Sequence, residues 1–178
     1  EMLVEKIRGT AIITGASGGI GAAIAKKMAS SGYHVVLNYN KSSEPASNLY
    51  DEIISMGGCA SLHQADISDP DAVKMMCDAV LAGDFPPLSL LVNNASGPII
   101  SKSFMTLEWA DIQKHIDVQV RGAFNMCQSL LPIFEANTSG NIINISTMYL
   151  DNAPPEKLYD YIMAKAALHA LSKSLAVE

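Results

Sequence analysis

Short apolar runs alternate with longer helical patterns along this chain, and few architectures accept that rhythm. The runs are TAIIT (10–14), HVVLNY (34–39), ASLHQAD (60–66), LSLLVNNA (88–95) and NIINIS (141–146). The intervals predict helices over 21–32, closed by Gly32, and over 44–56, closed by Gly57 and Gly58. A third is predicted over 69–83, with Asp69 as N-cap and Pro70 as first helical residue. Two more are expected over 107–117 and 118–137, Pro132 kinking or shortening the second, and a last one from about Glu156. Strand–helix alternation of this kind implies an α/β fold, a parallel sheet covered by helices on both faces. Ligands of such sheets bind beyond the carboxyl ends of the strands, where strand order reverses, so the residues just after each strand carry the information.

The bulk numbers bound the function class. The chain has 178 residues, 49% hydrophobic and 17% charged, which suits one globular domain (1–178) with a real core. A formal charge of −6 with no run of Lys or Arg argues against nucleic acid and against an anionic membrane surface. Cys59, Cys77 and Cys127 lie far apart and read as buried thiols in a reducing, cytoplasmic setting. The histidines, His34, His63, His115 and His169, are isolated too, so no metal site is expected. EMLVEKIRGT has mixed charge and does not read as a signal peptide, and no apolar run approaches the ~20 residues of a membrane span.

TGASGGIG (14–21) joins the first strand to the first helix. Gly15, Gly19 and Gly21 permit a tight turn and close backbone approach, and the helix N-terminus offers free N–H groups to a pyrophosphate. Ser17 and Ile20 belong to the same turn and are taken as cofactor contacts. An acid usually follows the second strand in an NAD site. Here Asn38 stands there, Lys41 and Ser42 follow, and no Asp or Glu precedes Glu44. A 2′-phosphate would meet no repulsion and could pair with Lys41, which favours NADP(H) over NAD(H).

In YDYIMAK, Tyr161 and Lys165 are four apart, about 40° in direction and ~6 Å in height on a helix, and share a face. Tyr159, about 240° round from Lys165, reads as a lip or packing residue. A phenol titrates near 10, so proton transfer at neutral pH needs help, and a neighbouring ammonium favours the phenolate.

With Thr ahead of it, the Gly-x-x-x-Gly-x-Gly turn resembles the signature of the short-chain dehydrogenase/reductase family, as do NNASG (93–97) and the Tyr161–Lys165 pair in the same chain order. The resemblance implies a Rossmann-type, doubly wound three-layer sheet. It implies hydride transfer between nicotinamide and a carbonyl carbon, with Tyr161 passing the proton and Lys165 also holding the nicotinamide ribose. Asp66, with Ile67 beside it, resembles the aspartate that contacts adenine. Asn93 and Ala95 resemble the segment that lies beside the cofactor ribose and braces the sheet, Ser96 standing where the family has glycine. The family's substrate-binding serine falls on Thr147, with Ser146 in reserve, and the relay asparagine falls on Gln119.

Two catalytic positions thus depart from the commonest pattern. The retained Tyr161 and Lys165 favour an active enzyme; the alternative is a nucleotide-binding but impaired relative that serves as a binding or assembly partner. Family members are usually longer, so the chain is expected to be part of a longer protein, without the family's C-terminal strands and substrate lid. VVLNY, DISD and SKSLAVE look most like 3-oxoacyl-(acyl carrier protein) reductases of fatty acid biosynthesis. That implies a small carbonyl substrate, carried on acyl carrier protein in the leading case. The resemblance also implies a homo-oligomer, dimer or tetramer, built through the helices 118–137 and 156–177.

Overall fold

The computed structural model describes residues 8–178; residues 1–7, part of the segment read above as no signal peptide, lie outside the described residues. Its strands are β1 (Gly9–Ile13), β2 (Tyr33–Tyr39), β3 (Cys59–Gln64), β4 (Leu88–Asn93) and β5 (Asn141–Asn144). They form one sheet in the order β3-β2-β1-β4-β5, with every neighbouring pair parallel. The helices are α1 (Gly19–Ser30), α2 (Ser43–Ser55), α3 (Pro70–Ala82), α4 (Trp109–His115), α5 (Gly122–Ala136) and α6 (Tyr159–Val177). Strand order reverses between β1 and β4, which places the crevice of a doubly wound sheet at their carboxyl ends.

The central strands are mostly apolar because both faces are covered, with Thr10, His34, Asn38 and Asn93 as buried polar exceptions. Successive side chains point to opposite faces. Ile12 and Val36 pack with Val73, Met76, Met126 and Leu130 from α3 and α5. Their neighbours Ala11, Ile13, Val35 and Leu37 pack with Ala25, Ala29, Leu49 and Ile53 from α1 and α2. Each fully buried Leu or Ile contributes about 1.5–3 kcal/mol relative to exposure. α3 begins as its sequence predicts: Asp69 caps it by accepting the amide of Asp71, and Pro70 is its first residue.

Four expectations need correction. The helices expected over 107–117 and 118–137 are one continuous rod, because the π-helical segment Ile116–Arg121 joins α4 to α5 with no breaker between them. Pro132 does not end α5, which runs on to Ala136. Its ring sits on the exposed side, where the carbonyl of exposed Gln128, left without a helical partner, can meet water. The last helix starts at Tyr159, not near Glu156, because Lys157 takes a positive φ of 64° that no helix accommodates. Cys77 and Cys127 are buried, but Cys59, at the start of the outer strand β3, is exposed. Among the described residues no helix is long and apolar enough to cross a membrane, and no cluster of His, Cys, Asp or Glu could hold a metal ion.

Candidate active site

A cleft of about 700 Å³ opens at the carboxyl ends of β1 and β4. Its floor is the turn after β1. Buried Thr14 staples that turn to the loop after β4: its hydroxyl accepts the amides of Asn94 (3.0 Å) and Ala95 (3.1 Å) and donates to the carbonyl of Val92 (3.4 Å). The Asn94 side chain donates back to the carbonyls of Thr14 and Gly15 at 3.0 and 3.1 Å. Two glycines make this closeness possible. Gly15 has φ +62°, and a Cβ there would lie 2.8 Å from Ala95 Cα. At Gly21 a Cβ would come within 2.5 Å of the Asn94 amide nitrogen and the Gly15 oxygen. Gly15, Ser17 and Ile20 line the cleft, Gly21 is buried beneath the turn, and Gly19 is exposed outside the lining.

At the outer end the cleft is lined by Asn38, Asn40, Lys41, Ser42, Asp66 and Ile67. The Asn38 side chain is buried and serves as a latch, with its oxygen 3.4 Å from the Gly15 amide and its nitrogen donating to the Ala65 carbonyl at 3.2 Å. Asp66 accepts from the Ser68 hydroxyl (2.7 Å) and amide (3.0 Å). The Ser68 hydroxyl, foremost, holds this carboxyl below its ordinary value, with Asn40 and Lys41 adding to the effect and partial burial opposing it.

At the inner end, β5 and α6 deliver Ile145, Ser146, Tyr161 and Lys165 to the cleft. The Lys165 side chain is only 3% exposed, and burial pushes its ammonium down to about 8. Its Nζ donates to the Ile145 carbonyl at 2.5 Å and lies 5.7 Å from the centre of the Tyr161 ring. Tyr159 lies outside the cleft lining and packs edge-on against Phe104, ring centres 5.4 Å apart.

Three sequence-derived site residues fall elsewhere. Thr147 does not reach the cleft. Its hydroxyl accepts the Tyr149 amide at 3.4 Å, capping a short turn, and the residue lines a neighbouring hollow of about 280 Å³. Ser146 lines both the cleft and that neighbouring hollow. Asn93 is buried and donates to the Asn144 side chain at 2.8 Å, tying β4 to β5 beneath the cleft. Gln119 is also buried, and its amide nitrogen is engaged with His115 Nδ1 at 2.8 Å.

Sequence reasoning missed Asn94, although it stands inside the quoted NNASG motif. It also missed His115 and Asp160, which meet beside Tyr161; nothing in the spacing of those two residues announces their contact.

The residues present fit a dinucleotide. The N-terminus of α1 has no side-chain cap and no acidic residue in its first turn, so its amides are free for an anion, and a Cβ at Gly18 or Gly19 would meet only open space. Lys41 and Ser42 would hold a phosphate on the adenosine ribose, Asp66 and Ile67 the adenine, and Tyr161 and Lys165 the nicotinamide ribose.

Residues 9–178 match the family model described as short chain dehydrogenase. The 3-oxoacyl-[acyl-carrier-protein] reductase FabG of Staphylococcus aureus is 37% identical over 176 residues, 97% of this chain and 69% of that protein. The 3beta-hydroxysteroid dehydrogenase 1 of Eggerthella lenta is 34% identical over 172 residues, 95% of this chain and 64% of that protein. A crystal structure of a metagenomic short-chain oxidoreductase in complex with NADP superposes with a TM-score of 0.86 at 34% identity, over 94% of this chain and 75% of that one. A short chain dehydrogenase from Burkholderia cenocepacia, also in complex with NADP, gives 0.81 at 35% identity, over 93% and 66%.

Proposed function

The chain belongs to the short-chain dehydrogenase/reductase family of NAD(P)-dependent oxidoreductases, and from that premise we propose that it reduces the ketone of a 3-oxoacyl thioester with NADPH. One observation carries the reading: Tyr161 and Lys165 stand together at the inner end of a cleft whose outer end presents Lys41 and Ser42. The bound nicotinamide supplies hydride to the carbonyl carbon. Ser146 donates a hydrogen bond to the carbonyl oxygen and orients it. Tyr161 Oη gives that oxygen its proton, so the ketone leaves as an alcohol and the phenolate is reprotonated from solvent. Lys165 keeps its ammonium near the phenol, where it stabilises negative charge developing on Oη. Asn94 and Thr14 hold the two loops that form the floor.

The NADPH preference rests on Lys41 and Ser42 at the outer end and on the NADP complexes of the two structural relatives. The thioester substrate rests on the likeness to the staphylococcal reductase. The test is loss of NADPH absorbance with an acetoacetyl thioester. Turnover that vanishes in Tyr161→Phe while NADPH still binds supports the reading; equal turnover by that variant overturns it.

A further inference from the structure

Behind Tyr161 lies a polar chain that the reaction as described does not use. Gln119 Nε2, His115 Nδ1, His115 Nε2, Asp160 and the amide of Tyr161 follow one another. Gln119 contacts His115 at 2.8 Å, His115 Nε2 lies 3.5 Å from Asp160 Oδ2, and Asp160 Oδ1 accepts the Tyr161 amide at 2.8 Å. All three side chains are almost fully buried, at 3%, 4% and 4% exposure for Gln119, His115 and Asp160. The His115 ring also meets the Tyr161 ring edge-on, with centres 6.2 Å apart.

The polarity of the chain is self-consistent. Gln119 donates to Nδ1, so a neutral imidazole carries its proton on Nε2, facing the Asp160 carboxylate. That carboxylate in turn receives the first amide of the catalytic turn. Gln119 comes from the π-helical segment, four residues after His115. The Gln119 Oε1 has no hydrogen-bond partner among the described residues, so the amide is held through its nitrogen alone.

We propose that His115 and Asp160, steered by Gln119, are positioning residues for the proton-transferring phenol: they lock the α4–α5 rod to the first turn of α6 and so fix where Tyr161 Oη points. The inference rests on the reading that Tyr161 passes the proton. The charged neighbours of the network are Lys102, Asp111 and Lys114, which share a small hollow with His115 and Asp160; Lys165 lies on the other side, over the Tyr161 ring. Lys102 and Asp111 pair with each other at 2.6 Å.

The test uses the full chain with NADPH and an acetoacetyl thioester. Asp160→Ala and His115→Leu are expected to lower kcat about ten- to a hundredfold while the Kd for NADPH stays within about threefold, since misdirection of the reacting group harms turnover more than binding. Asp160→Asn keeps an acceptor for the Tyr161 amide, and the imidazole and Gln119 amide can reverse their polarity to match. It is expected to retain kcat within about threefold. If folded Asp160→Ala and His115→Leu both keep wild-type kcat, or lose NADPH binding in proportion to kcat, the proposal is overturned. Should both be too unstable to purify, Gln119→Met fills the same space without donating to Nδ1; a fall in kcat at unchanged NADPH affinity supports the proposal, and unchanged kcat overturns it. Tyr161→Phe, run alongside, separates two failures. If it keeps full turnover, the proton-donor reading falls and this inference with it. If it is inactive while the network variants behave as wild type, the network's role alone falls.

Discussion

The ammonium of Lys165 donates to the backbone carbonyl of Ile145 at 2.5 Å, just past the end of β5. This bond fixes the cation at the inner end of the cleft, but it does not offset the removal of a charge from water. Burial brings the Lys165 ammonium down to about 8 from an ordinary value of 10.5. Below about pH 8 both folded and unfolded chains hold the proton, and the burial cost is present in full. Between about 8 and 10.5 the folded chain has released it and the unfolded chain has not, so stability rises with pH across that window. Lys165→Met is therefore expected to stabilise the cofactor-free protein at pH 7 by about 1–3 kcal/mol, after discounting for solvent screening and the lost hydrogen bond. Turnover should disappear. A thermal melt that moves downward would contradict this.

Lys41 faces the outer end of the cleft beside Ser42. Lys41→Ala is expected to weaken NADPH about tenfold and leave NADH almost unchanged, and Lys41→Glu to reverse the preference. Fluorescence titration with both cofactors measures it. Equal losses for the two would show that the lysine does not read the 2′-phosphate.

Gly21 lies under the turn with no room for a methyl group. Gly21→Ala must push aside the Asn94 side-chain amide and the Gly15 carbonyl, which are bonded to each other at 3.1 Å, the amide being held by the Thr14 carbonyl as well. The expected cost is about 1–3 kcal/mol, with a larger relative loss of NADPH affinity than of secondary structure. Circular dichroism melts and cofactor titration together check both parts.

His34 stacks on Phe85 with ring centres 4.1 Å apart at the end of the sheet opposite the cleft. Burial, with His63 nearby, holds its imidazole below the ordinary value of 6.5. Above that value both states are neutral. As pH falls through it the unfolded chain protonates first, so stability is lost on acidification. His34→Gln is expected to flatten the decline in Tm between about pH 6.5 and 5. A decline of unchanged slope would assign the acid sensitivity to other groups.

The features legible in the sequence are those that depend on near neighbours. The cap at Asp69 and the first-turn Pro70 need only the next few residues. The shared cleft of Tyr161 and Lys165 follows from helical spacing, and the glycine turn from its place after a strand. The rod from α4 to α5 was not legible, because a π-helical join preserves helical backbone angles and leaves no breaker to read. The placement of Ser146 and Thr147 was not legible either, because the turn at Met148–Leu150 takes Thr147 as its cap and leaves Ser146 on the cleft wall.

Periodicity and turn chemistry by themselves determined the layered parallel sheet, the position of the glycine turn and the tyrosine–lysine pair, because those are properties of short stretches of chain. Only the folded molecule decided that Ser146 lines the cleft, that Asn38 and Asn93 act as braces, and that His115 meets Asp160 behind the phenol. These contacts join residues far apart in sequence, and their distances are set by how neighbouring strands pair and how the α4–α5 rod packs on α6, which no local pattern encodes.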